Sequence, residues 1–525
     1  MGRAATGFTI CVLGLALGIA ALVATGPGRT ATPKDTLVVG QMAEPKSLDP
    51  ATVTAANDFR ILANLFEGLV RFRPGSLEPA PALAERWEMS EDGRAYTFHL
   101  RPNVRFHDGT AFDAEAVWFN LARLLDPKHP NADAGPFPLA FFLTPVTAVE
   151  VVDPLTVRLR LDEPYAPLLA HLAYPIGYMV SPAAAKAAGK GFGRAPVGTG
   201  PFRFERWESG RQVALVRNDA YWGDKPSLAR IAFRPIPDAN ARASEMLAGG
   251  LDLMVEVPPD QLASFRDPAR FALLDAPAPH LWFLILNAAE GPLRDVRVRR
   301  AVNLAIDKRT IAEDVLSNAA TVPAGPISPA FGVAHDPALG PYPHDPERAR
   351  ALIREAGAEG TTLTLLAAEG GSGMLEPLAM ATAIQADLAR VGLTAVIETF
   401  EWNAYLARVN GGLKGAGMAE MAWATNDPDT LPYLALRSEA VADKGGFNAG
   451  GFSDPELDRL IDAARKETDA ETRAGLYRRI DRLVHDAAPW AFVASAKQTA
   501  VTARGVEGVT LEPSSLLELK GVRKR

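Results

Sequence analysis

The chain has 525 residues, 48% of them hydrophobic and 22% charged, with a formal net charge of −7 and one cysteine. That length exceeds what a single hydrophobic core serves, so two lobes or more are expected. The negative balance argues against a nucleic-acid surface, and no block of like charge offers a footprint for DNA or lipid.

Arg3 precedes an unbroken apolar run, Ile10 to Ala24, and Gly26-Pro27-Gly28 ends it. About fifteen apolar residues are short for a membrane span and right for the core of a secretory signal, with Ala24 as the cleavage position. An uncleaved anchor is the alternative. Cys11 sits inside that run, where a lipoprotein signal would not place it. A cleaved chain would have no thiol, hence no disulfide, iron–sulfur or cysteine–zinc chemistry.

Leu37 to Gly40 reads as a short buried strand, followed by a loop from Glu44 to Pro50. A helix is expected from about Asn57, with Ile61, Leu62, Leu65 and Phe66 on its apolar face and Gly68 as its stop. Residues 82–120 then form a β-unit that runs into a helix. Trp87 and Met89 end one strand, and Gly93 supplies the turn. Tyr96, Phe98 and Leu100 alternate with Thr97, His99 and Arg101, the period of a half-buried strand. Val104 and Phe106 repeat that alternation. Asp113 is placed to cap a helix from Ala114, with Glu115 favoured in its first turn.

The order of parts in residues 82–120, A-E-R-W-E-M-S-E-D-G through to V-R-F-H-D-G-T-A-F-D-A-E-A-V, closely resembles the extracytoplasmic solute-binding proteins of the peptide/nickel class. These are solute-binding family 5, which feeds ABC importers. Only Ala116, where the family pattern has an aspartate, departs from it. A second stretch, P-V-G-T-G-P-F at 196–202 followed by Tyr221-Trp222, also matches. The resemblance implies an α/β, two-lobed periplasmic-binding-protein fold of type II, with an extra subdomain in the first lobe. The organisation expected is signal peptide and linker over 1–30, and lobe I over 31–280 with its subdomain near 80–190. Lobe II would cover 281–495, and 496–525 would return to lobe I.

Onward from there, Asp126 to Pro145 reads as a surface loop. Val149 and Val151, then Val157, Leu159 and Leu161, read as two strands around Asp153-Pro154. Further strands are expected at Gln212 to Arg217, Ile231 to Ile236 and Leu251 to Val255, with a helix from Ala239 to Ala248 between the last two. Leu281 to Asn287 is a continuous apolar run, a fully buried strand. The resemblance makes it the crossover into the second lobe. Asp295 caps a helix with Val298, Val302, Ala305 and Ile306 on one face. Helices at 345–357 and 375–390 alternate with strands at Leu363 to Leu366 and Leu393 to Phe400. Asp454 opens a helix carrying Leu457, Leu460, Ile461 and Ala464, and a last long helix uses Leu476, Ile480, Leu483 and Val484. Ala491 to Ala494 and Gln498 to Thr502 read as two strands returning the chain to the first lobe.

Enzyme constellations are not found. The 8 histidines are scattered, with no pair at i, i+4, and His99 and His107 are expected to face solvent or a partner strand. No G-x-S-x-G elbow surrounds a serine. No catalytic residue, metal site or cofactor is therefore expected. A secreted hydrolase using Asp427, Asp429 or a histidine is the alternative of another class.

Trp402 and Trp423 present large flat apolar faces suited to a closed cleft. In peptide-binding members, tryptophans at these two motif positions line the cleft. The first loop implies that Thr54, Ala55 and Ala56 run along the ligand. Dipeptide members hold the peptide's amino group with an aspartate after the second tryptophan. Here the interval is shorter, and Asn426 or Asp427 is the substitute. The arginine that pairs with the carboxylate has no counterpart in Glu369 to Gly373. The expectation is a monomeric periplasmic protein that captures a small peptide or peptide-like solute and delivers it to an ABC permease in the inner membrane. A nickel chelate or other non-peptide solute is the alternative ligand.

Overall fold

The computed structural model describes residues 33–371 and 373–525, so the expected signal segment at 1–30 lies outside the described residues. Two large cores organise the chain. One gathers Leu37 to Val255 with Ala500 and Val506 to Val522, and the other gathers Leu281 to Ala494. Each is an α/β lobe.

The first lobe's sheet runs in the order Phe202–Glu208, Gln212–Arg217, Arg230–Pro235, Thr36–Gln41, Leu253–Val255. The second lobe's runs Thr394–Phe400, Thr362–Ala368, Met418–Ala424, His280–Leu286. One strand, Trp490–Ala503, belongs to both. Its residues 490–494 pair with His280–Leu286, and its residues 497–503 pair with Phe271–Pro277. The sequence reading of two strands here is corrected to one. No glycine or proline interrupts Ser495-Ala496-Lys497, and polar partners hold the crossing extended. Ser495 Oγ donates to the His280 carbonyl at 2.7 Å, and Ala496 N–H donates to His280 Nδ1 at 3.2 Å. The second crossing is the short Ala278-Pro279 link between Phe271–Pro277 and His280–Leu286.

A separate four-stranded sheet, in the order Ala84–Met89, Ala95–Leu100, Thr156–Leu161, Val146–Asp153, forms the extra subdomain. Tyr96, Phe98 and Leu100 are buried. The helix Ala114–Leu125 starts at Asp113, whose carboxylate accepts the Ala116 N–H at 2.9 Å. That same amide sits where the family pattern has an aspartate.

Two local readings are corrected. Val104 and Phe106 are buried but form no ladder, because Asn103 takes a positive φ of 64° and only Arg105 and Ala111 bridge. His107 does not face solvent. Gly198 N–H donates to its Nδ1 at 3.2 Å, so Nε2 carries the proton and donates to the Gly200 carbonyl at 3.0 Å. Burial pushes this imidazole down to about 4 and keeps it neutral. His107 thus ties the two motif-bearing stretches together. The Asp126 to Pro145 segment is only partly surface, since Leu143, His129 and Asn131 are buried.

Candidate functional site

The strand Met418–Ala424 is buried from Met418 to Met421 and half-emerges at Ala422 and Trp423. It runs antiparallel to His280–Leu286, with Trp423 opposite Leu281 and Met421 opposite Phe283. Opposed residues of such a pair share a face, as do residues two apart. Leu281, Phe283, Met421 and Trp423 therefore form one apolar row. The Trp423 ring meets Phe447 edge-on, centroids 5.3 Å apart at 79°.

Beyond Trp423, toward the interlobe strand, lies a cavity of about 190 Å³. Its wall includes Trp423, Leu281, Phe331, Leu431, His280 and Ser495. His280 is fixed in one tautomer. Its Nδ1 accepts from Ala496, so Nε2–H donates to the Gly373 carbonyl at 2.9 Å. Burial pushes it down to about 4, so it is a neutral wall.

The turn after the strand has opposite character. Asn426, Asp427 and Asp429 are all buried. Arg473 donates to both oxygens of Asp427, at 2.6 and 3.2 Å, and Asp429 N–H adds a bond of 2.8 Å. Burial pushes the Asp427 carboxyl up, but the Arg473 charge and its bonds outweigh that, and the group sits below the usual carboxylate range. Arg465 bonds Asp429, and its guanidinium lies 3.6 Å from the centre of Tyr433 and 4.6 Å from that of Tyr165. Tyr165 belongs to the first lobe. Asn426 Nδ2 donates to the Ala170 carbonyl at 3.3 Å, Ala166 N–H to the Arg465 carbonyl at 2.9 Å, and Lys466 pairs with Glu163 at 2.6 Å. This turn and the end of the helix that carries Arg465 and Lys466 contact the first lobe.

Asp427, expected to meet a cationic ligand group, is paired within the protein to Arg473. The Arg473 guanidinium and the Asp429 amide take three of the carboxylate's roughly four acceptor sites, two on Oδ1 and one on Oδ2. Asn426 gives one side-chain amide hydrogen to the first lobe's Ala170 carbonyl.

Trp402 opens the helix Trp402–Asn410 and stacks on Tyr405, centroids 6.0 Å apart. It lies flat on Gly371, where an added Cβ would come within 2.3 Å of the ring. It roofs the glycine loop and borders no cavity that Trp423 borders. Ala55 caps the helix Ala56–Leu65, its carbonyl accepting from Asp58 and Phe59 at 3.0 and 3.2 Å, while Thr54 is exposed. Thr54, Ala55 and Ala56 line neither cavity.

Residues 78–443 match the family described as bacterial extracellular solute-binding proteins, family 5 Middle. The chain belongs to this family. Di/tripeptide-binding protein 2 of Pseudomonas aeruginosa is 32% identical over 511 residues, covering 94% of this chain and 95% of that one. Heme-binding protein A of Haemophilus influenzae is 32% identical over 492 residues, covering 89% and 88%. Among solved structures, HbpA2 from Haemophilus parasuis matches with a TM-score of 0.84 at 30% identity, covering 93% and 100%. DppA from Helicobacter pylori in complex with peptide STSA matches with a TM-score of 0.79 at 27% identity, covering 93% and 98%.

This family 5 protein is thus a two-lobed solute-binding protein of the kind that serves ABC importers. Sequence reasoning missed several residues of its interlobe region. Arg465 and Arg473 lie on helices whose charged residues read as solvent faces, and nothing local marks them as buried. Tyr165, His280 and Phe447 carried no motif. Only His280, at the mouth of the longest apolar run in the second lobe, stood where a signal was available. Among the described residues, no group of three His, Cys, Asp or Glu gathers to hold a metal, and no helix is long and apolar enough to cross a membrane.

Proposed function

We propose that the protein captures a small peptide or peptide-like solute between its lobes in the periplasm and delivers it, as a monomer and without turnover, to an ABC permease of the inner membrane. The observation that carries this reading is Trp423. It stands half-buried on the wall of a cavity beside the strand that both lobes share. Similarity to a di/tripeptide-binding protein over 94% of the chain supports the peptide class. Two chain crossings suit hinge closure over a ligand. Thr54, exposed on the first lobe, offers backbone groups to an extended ligand, the pairing by which peptides add as a strand.

Calorimetric titration of the mature protein against di- and tripeptides tests the reading. Binding without hydrolysis, with a smaller radius of gyration by small-angle scattering in the bound state, is expected. Silence toward every peptide but heat with a nickel chelate would transfer the reading to the alternative ligand. N-terminal sequencing of exported protein should find a start near residue 25, and a start at Met1 or Gly2 would overturn the periplasmic reading.

A further inference from the structure

A row of flat groups crosses from one lobe to the other. In the first lobe the His171 ring stacks on Phe142, centroids 4.2 Å apart at 25°, and lies near-parallel to Tyr165 at 5.9 Å and 29°. The second lobe continues the row with the Arg465 guanidinium, which reaches both Tyr165 and its own lobe's Tyr433. His171 is 1% exposed, and among the described residues its buried Nδ1 has no hydrogen-bond partner. The preceding residue, Ala170, accepts the Asn426 bond from the second lobe. None of the five side chains in this row lines the cavity of about 190 Å³, or the second, of about 170 Å³, that Trp423 also borders. The row joins lobe to lobe, apart from those two spaces.

The charges that act on His171 belong to the other lobe: Asp427, Arg465 and Arg473. Asp429 pairs with Arg465, and the pair of Glu163 with Lys466 flanks the same contact. Both aspartates are already held by the two arginines, so an imidazolium here would be a buried charge without a partner of its own. Burial pushes the His171 ring down to about 3, Asp427 pulls it back, and Arg465 and Arg473 add to the push. When the lobes part, the second lobe takes these groups with it, and the ring returns toward its ordinary 6.5. Asp429, which burial pushes up to about 6, titrates in the opposite sense. Its partner Arg465 is on its own lobe, so that pair persists through opening.

Resting on the lobe closure read above, we propose that His171 makes closure proton-sensitive: the cleft shuts over a neutral imidazole, and acidification favours the open form and releases the solute. The open form binds a proton that the closed form does not. Affinity is therefore whole above about pH 6.5 and falls below it, by at most about tenfold per pH unit.

Calorimetry on the mature protein with Ala-Ala, at about pH 7 and about pH 5, tests this, because neither end of a dipeptide changes charge appreciably between those values. Affinity should fall about tenfold or more at the lower pH. His171→Phe keeps a flat ring on Phe142 and cannot take a proton, so its affinity should be the same at both. Should this variant not fold, His171→Gln is read in the same way. Equal affinity of the unaltered protein at the two pH values, or a fall that survives in the variant, overturns the proton switch while the peptide reading stands. If no peptide binds, that reading falls, and scattering on the ligand-free protein decides the switch. A radius of gyration that grows at the lower pH in the unaltered chain but not in the variant upholds it, and unchanged radii overturn it.

Discussion

Trp423 and Asp427 are near neighbours in sequence, and the tertiary structure treats them oppositely. The tryptophan closes a strand on a row of apolar side chains and looks into cavities on both sides. The aspartate turns away and is locked to Arg473 against the first lobe's contact surface. Both residues read as ligand groups in a linear motif. The difference teaches that a buried charge with a partner in the protein has fewer acceptor sites to offer a solute. Here the partner is 46 positions further along the chain.

Arg473→Ala is the strongest way to break the comparison. It strands Asp427 in the interior, and a cost of about 3–5 kcal/mol is expected in urea unfolding. A variant of normal stability that bound cationic solutes differently would return Asp427 to the ligand site.

Glu420, three positions before Trp423 on the same strand, sharpens the contrast between buried and cleft-facing positions. It is fully buried, with the Ala368 N–H 3.4 Å from its Oε2 and, among the described residues, no partner for Oε1. Burial pushes its carboxyl from 4.5 up to about 9, with the Ala368 bond pulling slightly back. The folded state therefore holds this proton more tightly than the unfolded chain does. The resulting stability is whole below pH 4.5 and is lost as pH rises toward about 9. The loss follows one proton, about 1.4 kcal/mol per pH unit, or about 3 kcal/mol between about pH 5 and pH 7. Glu420→Gln should remove this component from the pH profile of urea unfolding. An unchanged slope would show that Glu420 ionises in the folded protein.

Trp423→Ala should weaken peptide binding by about 2 kcal/mol, the usual size for an anchoring aromatic. The ligand-free melting temperature should move little, since the ring borders voids. A large drop in melting temperature with affinity intact would make this tryptophan a core residue and misplace the site.

Asn426→Ala has the smallest expected effect. It removes one neutral hydrogen bond between the lobes, worth about 1 kcal/mol, and does so only when they are closed. Affinity should fall by that amount, while scattering on the ligand-free protein shifts toward a larger radius. An identical radius and affinity would mean that the Asn426 contact to Ala170 adds nothing to closure.

Local sequence determined the elements themselves. Asp113, Asp295 and Asp454 each accept an amide at the start of the helix they precede. The alternation of Tyr96, Phe98 and Leu100 and the run from Leu281 to Leu286 reappear as buried strands. Caps, turns and periodicity act over a few residues, so a few residues specify them. The tertiary structure alone decided which polar groups are spent and which surfaces stay open. His107 is held between Gly198 and Gly200, Asp427 is claimed by Arg473, and one strand from Trp490 to Ala503 serves both lobes. Those outcomes depend on partners brought close only by folding. A carboxylate or imidazole has the same letter whether its bonds go to solute or to the protein, and only its neighbours in space distinguish the two.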